Sequence, residues 1–327
     1  MKSRAFLAIL ITVLIVSGLY IYTLLQKEES TFRLSIVSIV EIQPIADLRQ
    51  GFKEIFLSSD YAKKHQISVE ELNAQGDPSL INQIADRLVT TKPDLVFVLG
   101  TPMAQAIQKR APDLLLVQGA VTDPIEAGLA NSWESSGKRY IATSDLPPIP
   151  KLINLIKELS PQVKRLGVIY NPGEPNSVAV IKRLRSYLEA NKVDWQLVEA
   201  PVASTVEVPT AVESLVGRVD AIFMPPDNTA AAAMSVIGKV AREHKIPFYA
   251  TNSSVLEHGA LAVVSLDFVQ LGRESAYLAL EVLNGKDPAK MPIKLMENPT
   301  IYVNQKLASE YGIDLTNFQK QANTIVR

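Results

Sequence analysis

The chain of 327 residues contains no cysteine. That excludes disulfides, thiolate metal sites, a cysteine nucleophile and a lipid anchor on an N-terminal cysteine. Histidine is almost as scarce. His65, His244 and His258 are scattered, and none lies at ligand spacing from another, so a histidine metal site is not expected. The formal net charge is −1, which gives no basic field for nucleic acid. A G-x-G-x-x-G fingerprint is absent, so a dinucleotide site is not supported and no cofactor is expected. G-x-S-x-G is absent too. Asp227 and Asp267 are the best acid–base pair on offer, but nothing supplies a nucleophile or metal, so the chain does not read as an enzyme.

What is present is ordinary globular material, 47% hydrophobic, enough for one large or two medium domains. The N-terminus stands apart. Ala5 to Leu25 is a run of 21 residues without a charge, long enough to span a bilayer as a helix. Lys2 and Arg4 precede it, which places the N-terminus in the cytoplasm and the remainder outside. A cleaved signal peptide is the rival reading, but no A-x-A-like site is obvious. Either way residues from about 30 onward are expected outside the cytoplasm.

The most informative stretch is Arg165–Leu188, RLGVIYNPGEPNSVAVIKRLRSYL. Leu166 to Tyr170 reads as a buried strand, which Asn171-Pro172-Gly173-Glu174-Pro175 stops. Asn176 or Ser177 is expected to cap a helix carrying Val178, Ile181, Leu184 and Leu188 on one face. The rest of the chain repeats this strand–loop–helix pattern. Strands are predicted at Phe32–Val40, Ile67–Leu72, Asp94–Leu99, Leu114–Val117 and Arg139–Ala142. Thr143 to Pro150, with three prolines, reads as a crossover. Further strands follow at Asp194–Val198, Asp220–Met224, Pro247–Ala250, Leu261–Ser265 and Thr300–Val303, and an alanine-rich helix is expected to extend to Ala241. PDLVFVLGTPMAQAI and VDAIFMPPDNTAAAA look alike, and two such series argue for two doubly wound α/β lobes.

Polar residues concentrate after the strands: Glu41 and Gln43, Thr101, Thr122 and Asp123, Ser144 and Asp145, Asn171 to Ser177, Asp227 to Thr229, and Asp267. In open α/β sheets such loops hold ligands. Lysine and arginine are almost absent from them, so a strongly anionic ligand would lack counter-charge. Asp227 or Asp267 is suited to a ligand ammonium. A ligand carboxylate is suited to backbone N–H groups near Thr101, Ser177 or Thr229. The combination fits a zwitterionic amino acid. The plain alternative is that each Asp or Asn merely caps its helix.

In order, NAQGD, TP-x-AQA, VTDP-x-x-AGL, ATSDLPP, LGVIYNPGEPNS, VDAIFMPPDNT, GALAVVSLDF-x-x-LGR-x-x-A and IYVN resemble the ABC-transporter substrate-binding protein family that includes tryptophan-binding members. The resemblance covers nearly everything from Phe32 to Asp314. It implies a type I periplasmic-binding-protein-like fold: two Rossmann-like lobes, three hinge crossovers, and closure on a small ligand, here an amino acid, with aromatic ones among the candidates. On that basis residues 1–30 form the anchor or signal segment. Lobe one is expected over 31–143 with 268–298, and lobe two over 144–267 with 299–327. The implied partners are a permease and its ATPase subunit, with the membrane held through the N-terminal helix. A ligand-sensing subunit without transport is the alternative. The implied ligand contacts are Thr101, Asp123, Ser144, Asp145, Asn171, Glu174, Asn176, Ser177, Asp227, Asn228 and Asp267, with Glu41 and Gln43 from the first loop. Asp227 is the first choice for the ammonium. The family often has a Glu-His-Pro-like loop where this chain has Glu41-Ile42-Gln43-Pro44. Many relatives also carry a lipid-anchoring cysteine or a cleavable signal where this chain has its long apolar run.

Overall fold

A computed structural model describes residues 31–316, 318 and 324–327, together with Ser17. The expected membrane-spanning run, apart from Ser17, lies outside them. Among the described residues no helix is long and apolar enough to cross a membrane.

The first lobe opens with β1 (Phe32–Ser38), α1 (Gln43–Ser58), α2 (Asp60–Lys64), β2 (Ile67–Asn73), α3 (Pro78–Thr91), β3 (Leu95–Leu99), α4 (Thr101–Arg110), β4 (Leu116–Val121) and β5 (Tyr140–Ser144). The chain then crosses and builds α5 (Ile149–Leu159), β6 (Arg165–Tyr170), α6 (Pro175–Ala190), β7 (Gln196–Pro201), α7 (Val208–Glu213), β8 (Ala221–Phe223), α8 (Asn228–Ala232), α9 (Met234–Glu243), β9 (Phe248–Ala250) and β10 (Ala262–Ser265). It returns to the first lobe for α10 (Phe268–Leu283) and β11 (Lys294–Leu295). It ends on the second with β12 (Thr300–Val303), α11 (Gln305–Glu310) and β13 (Thr324–Val326).

Each lobe has one sheet, ordered β11-β5-β4-β3-β1-β2 and β13-β12-β10-β9-β8-β6-β7. All pairings are parallel except β10 with β12. Helices cover both faces, so the central strands are buried throughout. That is why β3 reads as the unbroken run LVFVL. The two lobes open alike. Asp94 accepts the Arg33 N–H at 2.8 Å, and Asp220 accepts the Arg165 N–H at 2.7 Å. In each case an aspartate just before one strand ties the start of its neighbour.

Two helices hold the cleft-facing end of lobe one together. α1 and α10 cross at glycines. A Cβ on Gly51 would stand 2.0 Å from the Val269 carbonyl oxygen, and one on Gly272 would stand 2.1 Å from that of Leu48. Backbone therefore packs on backbone, which only glycine permits.

Some boundaries differ from expectation. α6 starts at Pro175, ahead of Asn176, because proline suits a first helical turn. β7 starts at Gln196, because Asp194 sits in a tight turn closed by Trp195 N–H on the Val193 carbonyl (2.8 Å). The alanine-rich helix breaks at Ala233 (φ −117°, ψ 19°), so the buried stripe Ile237, Val240 and Ala241 belongs to a separate helix.

Candidate functional site

The C-terminal ends of both sheets face one cavity between the lobes. Lobe one lines it with Ile42, Pro44, Ile45, Leu48, Gly100, Thr101, Ala120 and Thr122. Lobe two contributes Asn176, Met224, Pro225, Pro226, Asp227, Asn228, Ala231, Thr251, Asn252 and Val264. The crossovers add Asp145, Pro147, Leu266 and Phe268. The wall is mostly apolar, and among the described residues no lysine or arginine lines it.

Of the sequence-predicted residues, Thr101, Asp145, Asn176, Asp227 and Asn228 line this cavity. The others are set apart, each for a visible reason. Glu41 accepts from Arg49 (2.9 Å) and Asn73 (3.2 Å), and the Arg49 guanidinium holds its carboxyl below the usual range. Gln43 donates to Asp47 at 2.7 Å, one turn along α1. Asp123 accepts from Arg183. Ser144 Oγ donates to the Thr122 carbonyl (3.0 Å) and accepts from Leu146 N–H (3.2 Å), fastening the crossover. Asp267 is exposed and caps α10 through Gln270 N–H at 2.9 Å.

The loop after β6 is likewise satisfied within the protein. Glu174 accepts five hydrogen bonds: from Asn176 Nδ2 (3.1 Å), Asn228 N–H (2.9 Å) and Nδ2 (2.6 Å), and Thr229 N–H (3.0 Å) and Oγ1 (2.8 Å). A carboxylate at the N-terminus of α8 is stabilised by those N–H groups. Asn171 Nδ2 donates to Thr229 Oγ1 (3.0 Å), and Ser177 Oγ sits on the carbonyls of Asn171 (3.2 Å) and Glu174 (3.1 Å). Asp227, the expected ammonium partner, has both oxygens engaged: Oδ1 by Ala230 N–H and Oδ2 by Asn171 N–H, each at 2.7 Å. Burial, reinforced by the Glu174 charge, pushes its carboxyl up to about 7. It therefore caps α8 and ties two loops, and a ligand cation is not needed to satisfy it.

Two other groups are less fully used. Asn176 is 5% exposed, and both acceptors near its Nδ2, Glu174 and the Pro226 carbonyl, fix that atom as the donor. Its Oδ1 is buried with no hydrogen-bond partner. A buried acceptor left unpaired is costly and demands an explanation. Asp145 accepts one side-chain bond, from Thr122 Oγ1 at 2.8 Å, and burial pushes its carboxyl up to about 6. On the wall from lobe one, α1 and α4 start directly after Ile42 and Gly100, neither of which gives a side-chain cap. Gly100 adopts φ +112°, and a Cβ there would stand 2.3 Å from Ile39 Cγ2. The cavity wall thus includes both helix N-termini, which favour an anion, and acceptors, which favour a cation.

Sequence reasoning did not assign the apolar wall or Thr251 and Asn252. Thr251 and Asn252 do follow a strand, and that position was the available signal. Ile42, Met224, Pro226 and Phe268 carried none that separates a cavity wall from core.

Two lobes with crossed connections, closing on a mostly apolar cavity with polar groups of both kinds, define a small-molecule binding protein rather than a site built on one sheet. The chain belongs to the ABC transporter substrate binding protein family, whose profile matches residues 33–324. It is 35% identical over 272 residues to a tyrosine-binding protein of Clostridioides difficile (strain R20291), covering 83% of this chain and 78% of that one. It is similar to a Streptococcus ABC domain in complex with L-Trp (28% identity, TM-score 0.83, 90% of this chain and 100% of that one). It is also similar to the ligand-free, open structure of a substrate binding protein with adhesive properties from Clostridium difficile (30% identity, TM-score 0.68, 91% and 99%). At nearly equal identity, the TM-score is higher to the L-Trp complex than to the ligand-free, open structure.

Proposed function

We propose that this chain captures a free α-amino acid with a large apolar or aromatic side chain and presents it to an ABC importer. The observation that carries the reading is the buried, unpartnered Oδ1 of Asn176, a residue that lines the mostly apolar cavity together with Asp145. Together they accept a ligand ammonium. The carboxylate lies toward the uncapped starts of α1 and α4. The side chain packs among Ile42, Ile45, Met224, Pro226 and Phe268. The relatives named for tyrosine and solved with L-Trp support this class of ligand. Contacts to both lobes favour the closed arrangement, so binding shifts the population toward it.

The N-terminal run, preceded by Lys2 and Arg4, tethers the binding lobes to the outer face of the cytoplasmic membrane. The partners are a permease and its ATPase. The test is calorimetry on the ligand-binding lobes with L-tyrosine, L-tryptophan, L-phenylalanine and L-leucine. Tyramine and 3-phenylpropionate serve as analogues lacking one charge. At least one aromatic amino acid is expected to bind, and each analogue to bind at least about tenfold more weakly, the worth of one charged hydrogen bond. Equal binding of an analogue and its parent amino acid would remove the zwitterion from the reading.

A further inference from the structure

Two ion pairs bridge the lobes among the described residues, and they stand side by side. Arg183 Nη2 on α6 meets Asp123 Oδ2 at 2.6 Å, with Nε on the same oxygen at 3.1 Å. Lys182 Nζ, the preceding residue, meets Glu126 Oε1 at 2.6 Å. Both acids lie in the turn that follows β4, in lobe one; both bases lie on the second lobe. None of the four lines the ligand cavity.

The two pairs differ in kind. Lys182 and Glu126 are exposed, and such a pair contributes little alone. The Asp123 side chain is 1% exposed. Its Oδ1 accepts the N–H groups of Ile125 and Glu126, each at 3.1 Å, so its own turn holds it rigidly. That leaves Oδ2 aimed at the other lobe, with its position fixed before the partner arrives. A buried carboxylate needs its counter-charge, and Arg183 supplies it only while the lobes are together. The pairing is thus specific to the closed arrangement and independent of what lies in the cavity.

We propose that Asp123–Arg183, assisted by Glu126–Lys182, is an interlobe latch that keeps a closed fraction populated without ligand and slows ligand release. These are positioning residues: they touch no ligand and act through the equilibrium between open and closed. Apparent affinity scales with the fraction of molecules in the competent state, so the latch sets affinity without setting specificity. The effect on affinity rests on the ligand reading above; the effect on closure does not.

The absence of cysteine makes the test direct. Lys109→Cys and Glu189→Cys place single spin labels on exposed positions of the two lobes, at the ends of α4 and α6. In the ligand-free protein at low salt, the parent is expected to show a short-distance population. Arg183→Gln with Lys182→Gln should deplete it, and so should 1 M salt, which shortens the Debye length to about 3 Å. The charge swap Glu126→Lys with Lys182→Glu should restore part of what Lys182→Gln alone loses, which a merely structural role for Lys182 would not predict. With L-tyrosine or L-tryptophan as probe, the double variant should release ligand about tenfold faster, with association little changed. A parent that is wholly open when free, or a double variant with the parental distance distribution, overturns the latch. If neither amino acid binds the parent, the ligand reading fails and the distances still decide the latch.

Discussion

Asp145 and Asp227 are both carboxyls raised by burial, so both add stability as pH falls, while protonation of Asp145 also weakens binding of a cation. Asp145 serves a cation only when ionised. With its carboxyl at about 6, aromatic amino-acid affinity should fall about tenfold between pH 7 and pH 5, as the proton competes with the ammonium. Asp145→Asn should bind weakly and lose that slope; calorimetry at both pH values reads it. Asp227 acts on stability. Its carboxyl lies near 7 in the fold against an ordinary 3.8, so from about pH 4 to pH 7 the folded chain holds a proton that the unfolded chain has released. Stability from this group rises as pH falls through that window. The ligand-free thermal midpoint should therefore increase from pH 8 to pH 5 while affinity declines, and Asp227→Asn should reduce the rise to the part that Asp145 supplies. Glu174 is a different case, since five donors converge on it. Glu174→Ala strands one buried and four part-buried donors and should cost about 3 kcal/mol in urea unfolding, with α8 loosened first.

At the scale of elements, the glycine crossing of α1 and α10 decides where the cleft wall stands. Ile42, Ile45 and Phe268 sit at the starts of those two helices. Gly272→Ala forces a Cβ into the Leu48 carbonyl and should cost about 2 kcal/mol by denaturant unfolding, through overpacking. It should also weaken ligand binding, because the helix starts move apart. Much of this architecture could be read from the residues. β3 and, after Arg165, β6 are continuous apolar runs because parallel strands are covered on both faces, and α5 and α10 show clean helical spacing. The two-residue β11 carries too few residues for any period, and an alanine run marks helix without marking where it breaks. The site was half legible. The loops that carry it follow from strand ends. Which polar groups face the cavity depends on partners distant in sequence. Nothing local shows that Asn228 and Thr229 would consume Glu174, or that Asp123 would find Arg183 on the other lobe. Asp267, by contrast, met the plain expectation of a cap.

For the whole molecule, the lobes have separate cores. One contains Phe52, Phe56, Phe97 and Tyr140; the second lobe's contain Leu184, Phe223, Phe248 and Tyr249. A ligand that touches both loses its contacts when either lobe unfolds. At a free concentration 100 times the dissociation constant it should add about 2.7 kcal/mol to stability. Calorimetry should show the two lobes melting closer together as L-tyrosine or L-tryptophan is added. Ligand that shifts only one of two transitions would place the site on a single lobe.

The crossed connections also have a consequence for synthesis. The lobe begun first is not finished first. Its sheet starts at Phe32, yet the helix that packs on Gly51 arrives only with Phe268–Leu283, and its edge strand only with Lys294–Leu295. As the chain grows from its N-terminus, β1 to β5 wait without that cover while nearly all of the second lobe is made. The second lobe in turn waits for β12 and β13. A chain stopped at Ser265 would leave apolar faces of both lobes uncovered, so the last fifth of the polypeptide completes two folding units at once.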